Sequence, residues 1–167
     1  MHIRPATVAD REAVVSLVQR VLQEFELPWD PQGMDAELFT IPHSYSQRGG
    51  WFDVVVDEHE AVVGTIGLLP VGDGVIELRK MYLQRSARGG GMGRRLVQRA
   101  IDRARAVGYQ RLELETAAVL EAAVALYRSM GFQTVGEATC QRVCDYRMAI
   151  SLHPDDRAKI AQQQGQQ

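Results

Sequence analysis

Arg88-Gly89-Gly90-Gly91-Met92-Gly93-Arg94 is the stretch on which the reading of the whole chain depends. Before it, Val75–Leu83 has β-type composition, opened by the turn Gly72-Asp73-Gly74. After it, residues 91–107 place Leu96, Val97, Ala100, Ile101 and Ala104 on one helical face, while Arg94, Arg95, Gln98, Arg99 and Arg103 lie mostly elsewhere. Gly108 stands where a C-terminal cap belongs. A glycine-rich turn between a strand and a helix gathers free amide donors and the positive end of the helix dipole, which makes an anion site. Glycine lets the backbone come close to the anion, and Arg88 and Arg94 add charge that can pair with phosphate. Two familiar phosphate loops fail here. The dinucleotide pattern would need glycine at Arg94, and no Gly-Lys-Ser/Thr is present for a triphosphate loop. A bare flexible turn with no ligand is the plain alternative.

Working outward, the upstream chain reads as a short strand at residues 3–4 and a helix from Asp10. Val14, Leu17, Val18, Val21, Leu22 and Phe25 form its apolar stripe, and Pro28 and Pro31 end the pattern. An irregular stretch follows, with a short helix expected at residues 35–39. Strands are expected at 51–57 and 61–69, and with Val75–Leu83 they imply an antiparallel meander. Downstream, Arg111–Thr116 alternates as a strand, and residues 120–130 read as a helix ended by Gly131. Two more strands are expected near 132–137 and 143–152. About seven strands and four helices make an α/β protein of the α+β kind, with a mixed sheet and a right-handed crossover. Residues 1–153 form one domain, and the polar stretch 154–167 reads as a frayed tail.

Composition narrows the classes. A chain of 167 residues suits one core, and 46% apolar with 24% charged residues is ordinary for a globular protein. No apolar run approaches membrane-spanning length. The opening Met1-His2-Ile3-Arg4-Pro5 lacks the basic and apolar segments of a secretory leader, so a cytoplasmic location is expected. A formal charge of −2 with no basic run weighs against nucleic acid as a partner. Cys140 and Cys144 match neither a zinc pair nor a redox pair and read as passive thiols. His2, His43, His59 and His153 are scattered, and no metal site is expected.

Two flanking segments sharpen the reading: Glu77-Leu78-Arg79-Lys80-Met81-Tyr82-Leu83 before the turn, and Leu126-Tyr127-Arg128-Ser129-Met130-Gly131-Phe132 about 35 residues after it. Together with Arg88-x-x-Gly91-x-Gly93, they resemble the GNAT superfamily of N-acetyltransferases. The turn matches that family's pyrophosphate loop, and the later segment its Leu-Tyr-x-x-x-Gly-Phe element. The resemblance runs from about Trp51 to Phe132 and implies the GNAT fold, with acetyl-CoA as acyl donor and an amine as acceptor.

Aminolysis of a thioester needs a deprotonated amine, donors for the charge that develops on the carbonyl oxygen, and help for the departing sulfur. The resemblance implies that backbone groups of Met81, Tyr82 and Leu83 line the acyl and pantetheine arm. A bulge near residues 79–81 would aim the Met81 amide at the carbonyl. Arg88, Gly89, Gly90, Gly91, Met92, Gly93 and Arg94 would hold the pyrophosphate. Tyr127 stands at the family's tyrosine and would assist the leaving thiolate; a core aromatic is its other reading. Glu77 is the leading base. Strand alternation would set it on the face of Met81 unless a bulge intervenes. A solvated strand carboxylate is the bland reading of Glu77, and Glu113 and Glu115 are rival bases. Leu120 replaces an asparagine common in the family, which puts one polar contact to coenzyme A in doubt. No covalent nucleophile stands out, so direct transfer in a ternary complex is expected.

Trp29, Phe39, His43, Tyr45 and Trp51 surround the irregular segment, where the family shapes its acceptor site. Packing of that loop and capture of a cationic or apolar amine are both open. A small-molecule amine is preferred to a protein N-terminus or lysine. A non-catalytic acyl-CoA-binding module is the rival class, and exposed strand edges near the C-terminus make a homodimer plausible.

Overall fold

The protein is described as a computed structural model, covering residues 1–140 and 143–153. The expected tail at 154–167 lies outside the described residues. Strand β1 (His2–Pro5) leads into helix α1 (Arg11–Glu24), whose Val14, Leu17, Val18, Val21 and Leu22 are buried as their spacing implies. The irregular stretch holds a 3₁₀ turn (Ala36–Thr40) where the short helix was expected. It also holds a one-turn helix α2 (His43–Ser46) that has no sequence periodicity to reveal it. Then come β2 (Trp51–Val56), β3 (Val62–Gly72), β4 (Val75–Leu83), α3 (Met92–Val107), β5 (Arg111–Thr116), α4 (Glu121–Ser129), β6 (Gln133–Gly136) and β7 (Tyr146–Ser151).

These strands form one seven-stranded sheet in the order β1-β2-β3-β4-β5-β7-β6. Only β4 and β5 pair in parallel, across the α3 connection. The last two strands do not simply extend the sheet in chain order. β7 inserts between β5 and β6, pairing antiparallel with both, so β6 is left at the edge with all four residues exposed.

The sheet separates two cores. On one face Ile76, Leu78, Leu112 and Leu114 pack with Leu96, Val97, Ile101 and Tyr127 of α3 and α4. On the other, Val54, Val56 and Leu69 pack with Val14, Leu17 and Val18 of α1 and with Leu38, Ile41 and Tyr45 of the irregular stretch. No helix among the described residues is long and apolar enough to cross a membrane.

Two irregularities of β4 prepare the site. Its pairing with β5 stops at Leu78–Leu114, although β4 continues to Leu83. The two parallel strands therefore part along the last five residues of β4. On the β3 side, Gly67 faces Arg79 and Thr65 faces Tyr82, so Lys80 and Met81 together stand opposite Ile66. This is a two-against-one bulge, with Lys80 at φ +51°.

Candidate active site

Where β4 and β5 part, a cleft of about 370 Å³ opens. Its walls come from four elements: Val21 and Phe25 at the end of α1, Met81, Tyr82 and Leu83 on β4, Gly93 and Arg94 on α3, and Leu126 and Tyr127 on α4. The cleft runs onto the glycine turn at Arg88, Gly89 and Gly91. Gly91 sits at the N-terminus of α3 with φ +79°, a left-handed conformation that glycine adopts freely. A Cβ at Gly89, Gly90 or Gly91 would meet nothing within 4 Å, so these backbones face open space. A Cβ at Gly93 would come within 3.1 Å of Leu126 Cδ2, closing the floor between α3 and α4.

A mostly apolar slot, bordered by an unpaired strand segment and ending on open backbone at a helix N-terminus, fits the thioester arm and pyrophosphate of an acyl-CoA. Of the expected contact residues, Met81, Tyr82, Leu83, Arg88, Gly89, Gly91, Gly93 and Arg94 all line it. Met92 does not: its side chain is buried in the α3 core, so only its backbone remains for an anion. Gly90 borders the turn without lining the cleft.

Arg88 is already engaged. Its guanidinium donates to both carboxylate oxygens of Glu24 at 2.7 and 2.9 Å and to the Leu83 carbonyl at 2.8 Å, and it lies 5.3 Å over the Phe25 ring. It straps the end of α1 to the end of β4 instead of pointing freely into the turn. Arg94 donates to Ser129 Oγ on α4 at 2.7 Å.

Tyr127 is buried, and its hydroxyl donates to Met81 Sδ at 3.6 Å. Burial pushes its pKa well up. The ring packs against Phe132, and Tyr127 also lines the cleft.

The bulge breaks the alternation between Glu77 and Met81, the condition under which the two were not expected to share a face. Met81 and Leu83 join Ile76 and Leu78 on the α3–α4 side, whereas Tyr82 packs with the α1 core and Glu77 and Arg79 turn toward Glu37 of the irregular stretch. Glu77 and Met81 thus lie on opposite faces. Burial raises the Glu77 pKa, and the carboxylates of Glu115, Glu37 and Glu113 add to that; Arg79, at 3.8 Å, opposes it.

The rival carboxylates are occupied. Glu113 is paired with Arg147 at 2.8 Å and with Arg111. Glu115 accepts hydrogen bonds from the Thr139 amide and hydroxyl and the Cys140 amide. Burial works to raise the Glu115 pKa, but these donors outweigh it and hold the carboxyl below its ordinary value. Both glutamates look like alternating strand carboxylates in sequence. Apart from Arg111, two residues from Glu113, their partners lie 24 to 34 residues away and are visible only in the fold.

The aromatic residues divide. Trp29 and Phe39 meet edge to face at 6.1 Å. Tyr45 is fully buried against Phe52 and donates to Glu37. Trp51 leaves the group and packs under Arg103 of α3 at 4.2 Å. Both cysteines are free thiols, and burial, with Cys140 beside it, pushes Cys144 up to about 12. Among the described residues no cluster of three or more His, Cys, Asp or Glu could hold a metal.

The profile of the acetyltransferase (GNAT) family matches residues 14–132. An uncharacterized N-acetyltransferase of Escherichia coli, YjgM, is 32% identical over 95% of this chain and 92% of its own length. A GNAT-family acetyltransferase from Staphylococcus aureus Mu50 superposes with a TM-score of 0.83 at 21% identity, covering 91% of this chain and 99% of that one. Spermidine N-acetyltransferase from Vibrio cholerae, in complex with CoA and spermine, does so at 0.69 and 22% identity, over 90% and 95%. The chain therefore belongs to the GNAT acetyltransferase family and is an acetyltransferase enzyme.

Proposed function

We propose that the enzyme moves an acetyl group from acetyl-CoA directly to the amine of a small molecule. The observation that carries this reading is the cleft: an apolar slot of about 370 Å³ between the parted β4 edge and Tyr127, ending on the Gly89–Gly91 backbone. The donor supplies an activated acyl group as its thioester. Backbone of Met81 and Leu83 aligns that group, the turn amides hold the pyrophosphate, and the Met81 amide polarises the carbonyl.

The two faces of β4 then divide the work. The acyl group lies on the α3–α4 side with Met81 and Tyr127. The amine comes from the side of the irregular stretch, where Glu77 turns. A carboxyl raised by burial is a stronger base than an ordinary one and accepts the ammonium proton directly or through water. Tyr127 keeps its proton. A phenol held above about 10 is a weaker acid than an alkyl thiol near 8.5, so Tyr127 stabilises the departing sulfur by donating a hydrogen bond, without full transfer. Its present acceptor, a thioether, is a weak one and readily exchanged.

Direct transfer is favoured over an acyl-enzyme because neither Cys140 nor Cys144 lines the cleft. A small acceptor agrees with the Vibrio cholerae neighbour, whose ligand is spermine. Titration calorimetry with acetyl-CoA tests the reading. Binding is expected for the wild type and lost in Gly91→Glu, with circular dichroism confirming the fold. A wild type that binds neither acetyl-CoA nor longer acyl-CoAs would sink it.

A further inference from the structure

A lysine buried in a left-handed conformation calls for an explanation. Lys80 has φ +51°, costly for a residue with a side chain, and its side chain is only 6% exposed. One contact accompanies both features: Lys80 Nζ lies 2.6 Å from Asp35 Oδ1, and the Asp35 side chain is 4% exposed. The lysine carbonyl accepts from Thr65 Oγ1 at 2.7 Å, and Thr65 is fully buried. The bulge residue is therefore braced at its side chain and at its backbone.

Asp35 is braced in turn. Its second oxygen accepts the Asp30 amide at 2.9 Å, and its own amide donates to the Asp30 carbonyl at 2.9 Å. Residues 30–35 are thus closed on themselves, and the Lys80–Asp35 pair joins this loop to β4 across 45 positions of chain. The loop carries Trp29 on one side and the 3₁₀ turn with Glu37 on the other. A buried ion pair recovers its desolvation cost poorly against an apolar pair of similar size, so stability alone is a weak reason to keep one.

We propose that the Lys80–Asp35 pair is a positioning device: it holds the β4 bulge in its left-handed turn, so that the following amide, that of Met81, faces the acyl carbonyl, and it ties this donor to the loop on the acceptor side. The inference rests on acetyl-CoA occupying the cleft. Lys80 touches no reacting atom; it acts through the backbone of Met81.

The test reads the carbonyl itself. Acetyl-CoA labelled with ¹³C at the carbonyl is bound to the wild type, and the downfield shift of that resonance reports polarisation by the amide. Failure of the wild type to bind at all would refute the cofactor reading, separately from this one. Lys80→Met with Asp35→Leu removes both charges and leaves a side chain at positive φ, so the bulge relaxes. Lys80→Gly with Asp35→Leu removes the same charges but puts at the bulge the residue that adopts positive φ without strain. The first is expected to lose most of the shift and the second to keep it. Both should bind desacetyl coenzyme A within about threefold of wild type, because a change that small is under 1 kcal/mol. Retention of the shift in the methionine variant, or its loss in both, overturns the proposal. Should the methionine variant not fold, Asp35→Asn removes the pair's negative charge while keeping the size of the side chain. A reduced shift there supports the proposal, and an unchanged one overturns it.

Discussion

In the proposed mechanism Tyr127 of α4 and Glu77 of β4 act from opposite sides of the sheet, and they differ in what pH can do to them. Tyr127, raised by burial, stays neutral throughout the working range, so its contribution as a hydrogen-bond donor is independent of pH. Tyr127→Phe is expected to lower kcat by about tenfold to a hundredfold, at the low end of acid–base effects because no full proton transfer is lost. The affinity for acetyl-CoA measured by calorimetry should barely change. As the proposed base, Glu77 would act only when ionised, and its pKa lies above the ordinary carboxylate value. Activity should therefore rise with pH along a limb displaced upward from a normal glutamate, and Glu77→Gln should remove that limb while lowering kcat by about a hundredfold or more. An unchanged limb in Glu77→Gln assigns the base elsewhere. Both residues were singled out in the sequence through the family resemblance, Glu77 by its offset from Met81 and Tyr127 by the Leu126–Phe132 element. The engagement of Arg88 was not, since Glu24 lies 64 positions away on an exposed helix end.

At the scale of elements, the glycine turn and the helix it starts are one device. Gly91 caps α3 at φ +79°, and its left-handed turn leaves backbone open to the cleft. Gly91→Ala is expected to cost about 1–2 kcal/mol of stability, the penalty for a Cβ in that conformation, as read by urea denaturation. Relaxation of the turn should also weaken acetyl-CoA binding. An alanine variant with wild-type stability and affinity would mean that the turn tolerates other geometries and does not cradle the anion. Helices α1 and α3 were legible because each repeats an apolar residue every three to four positions. Helix α2 is a single turn, too short for any period to show. Strand β4 was bounded correctly at Val75–Leu83, and its alternation holds only as far as Arg79, because the bulge inserts one residue and reverses every later side chain, the exception the sequence reading had left open. The position of β7 between β5 and β6 was hidden for a different reason: neighbours in sequence suggest a simple hairpin at the edge, and the actual order depends on which strand covers β5.

Across the whole molecule, ionisation beside the β1 edge of the sheet and on its central strand β4 sets stability in opposite directions. Near the N-terminus, Asp10 joins β1 to α1 by accepting two hydrogen bonds from Arg4 at 2.9 Å, together with the Thr7 amide and hydroxyl. The Arg4 guanidinium chiefly, helped by Thr7 and against the pull of burial, lowers its pKa from 3.8 to about 2. A depressed carboxyl stabilises the fold above its unfolded pKa and loses that contribution as pH falls through the folded value. The loss should come between about pH 4 and pH 2 and amount to no more than about 1–2 kcal/mol, allowing for solvent screening near the surface. Glu77 works the other way. Its raised pKa means the folded state holds the proton more tightly than the unfolded chain, so its ionisation costs stability at neutral pH, and stability rises as pH falls toward the carboxylate range. The melting temperature should therefore peak in mildly acidic solution. Glu77→Gln is expected to raise the melting temperature at neutral pH and flatten the rise on that side of the peak, while Asp10→Asn flattens the acid side. A catalytic base held at a cost to the fold gives a variant that is more stable and nearly inactive, the exchange expected where function keeps a charge in an unfavourable place. Were Glu77→Gln instead to lower the neutral melting temperature, the carboxylate would be a structural partner of Arg79, and the search for the base would move to the water reaching that face.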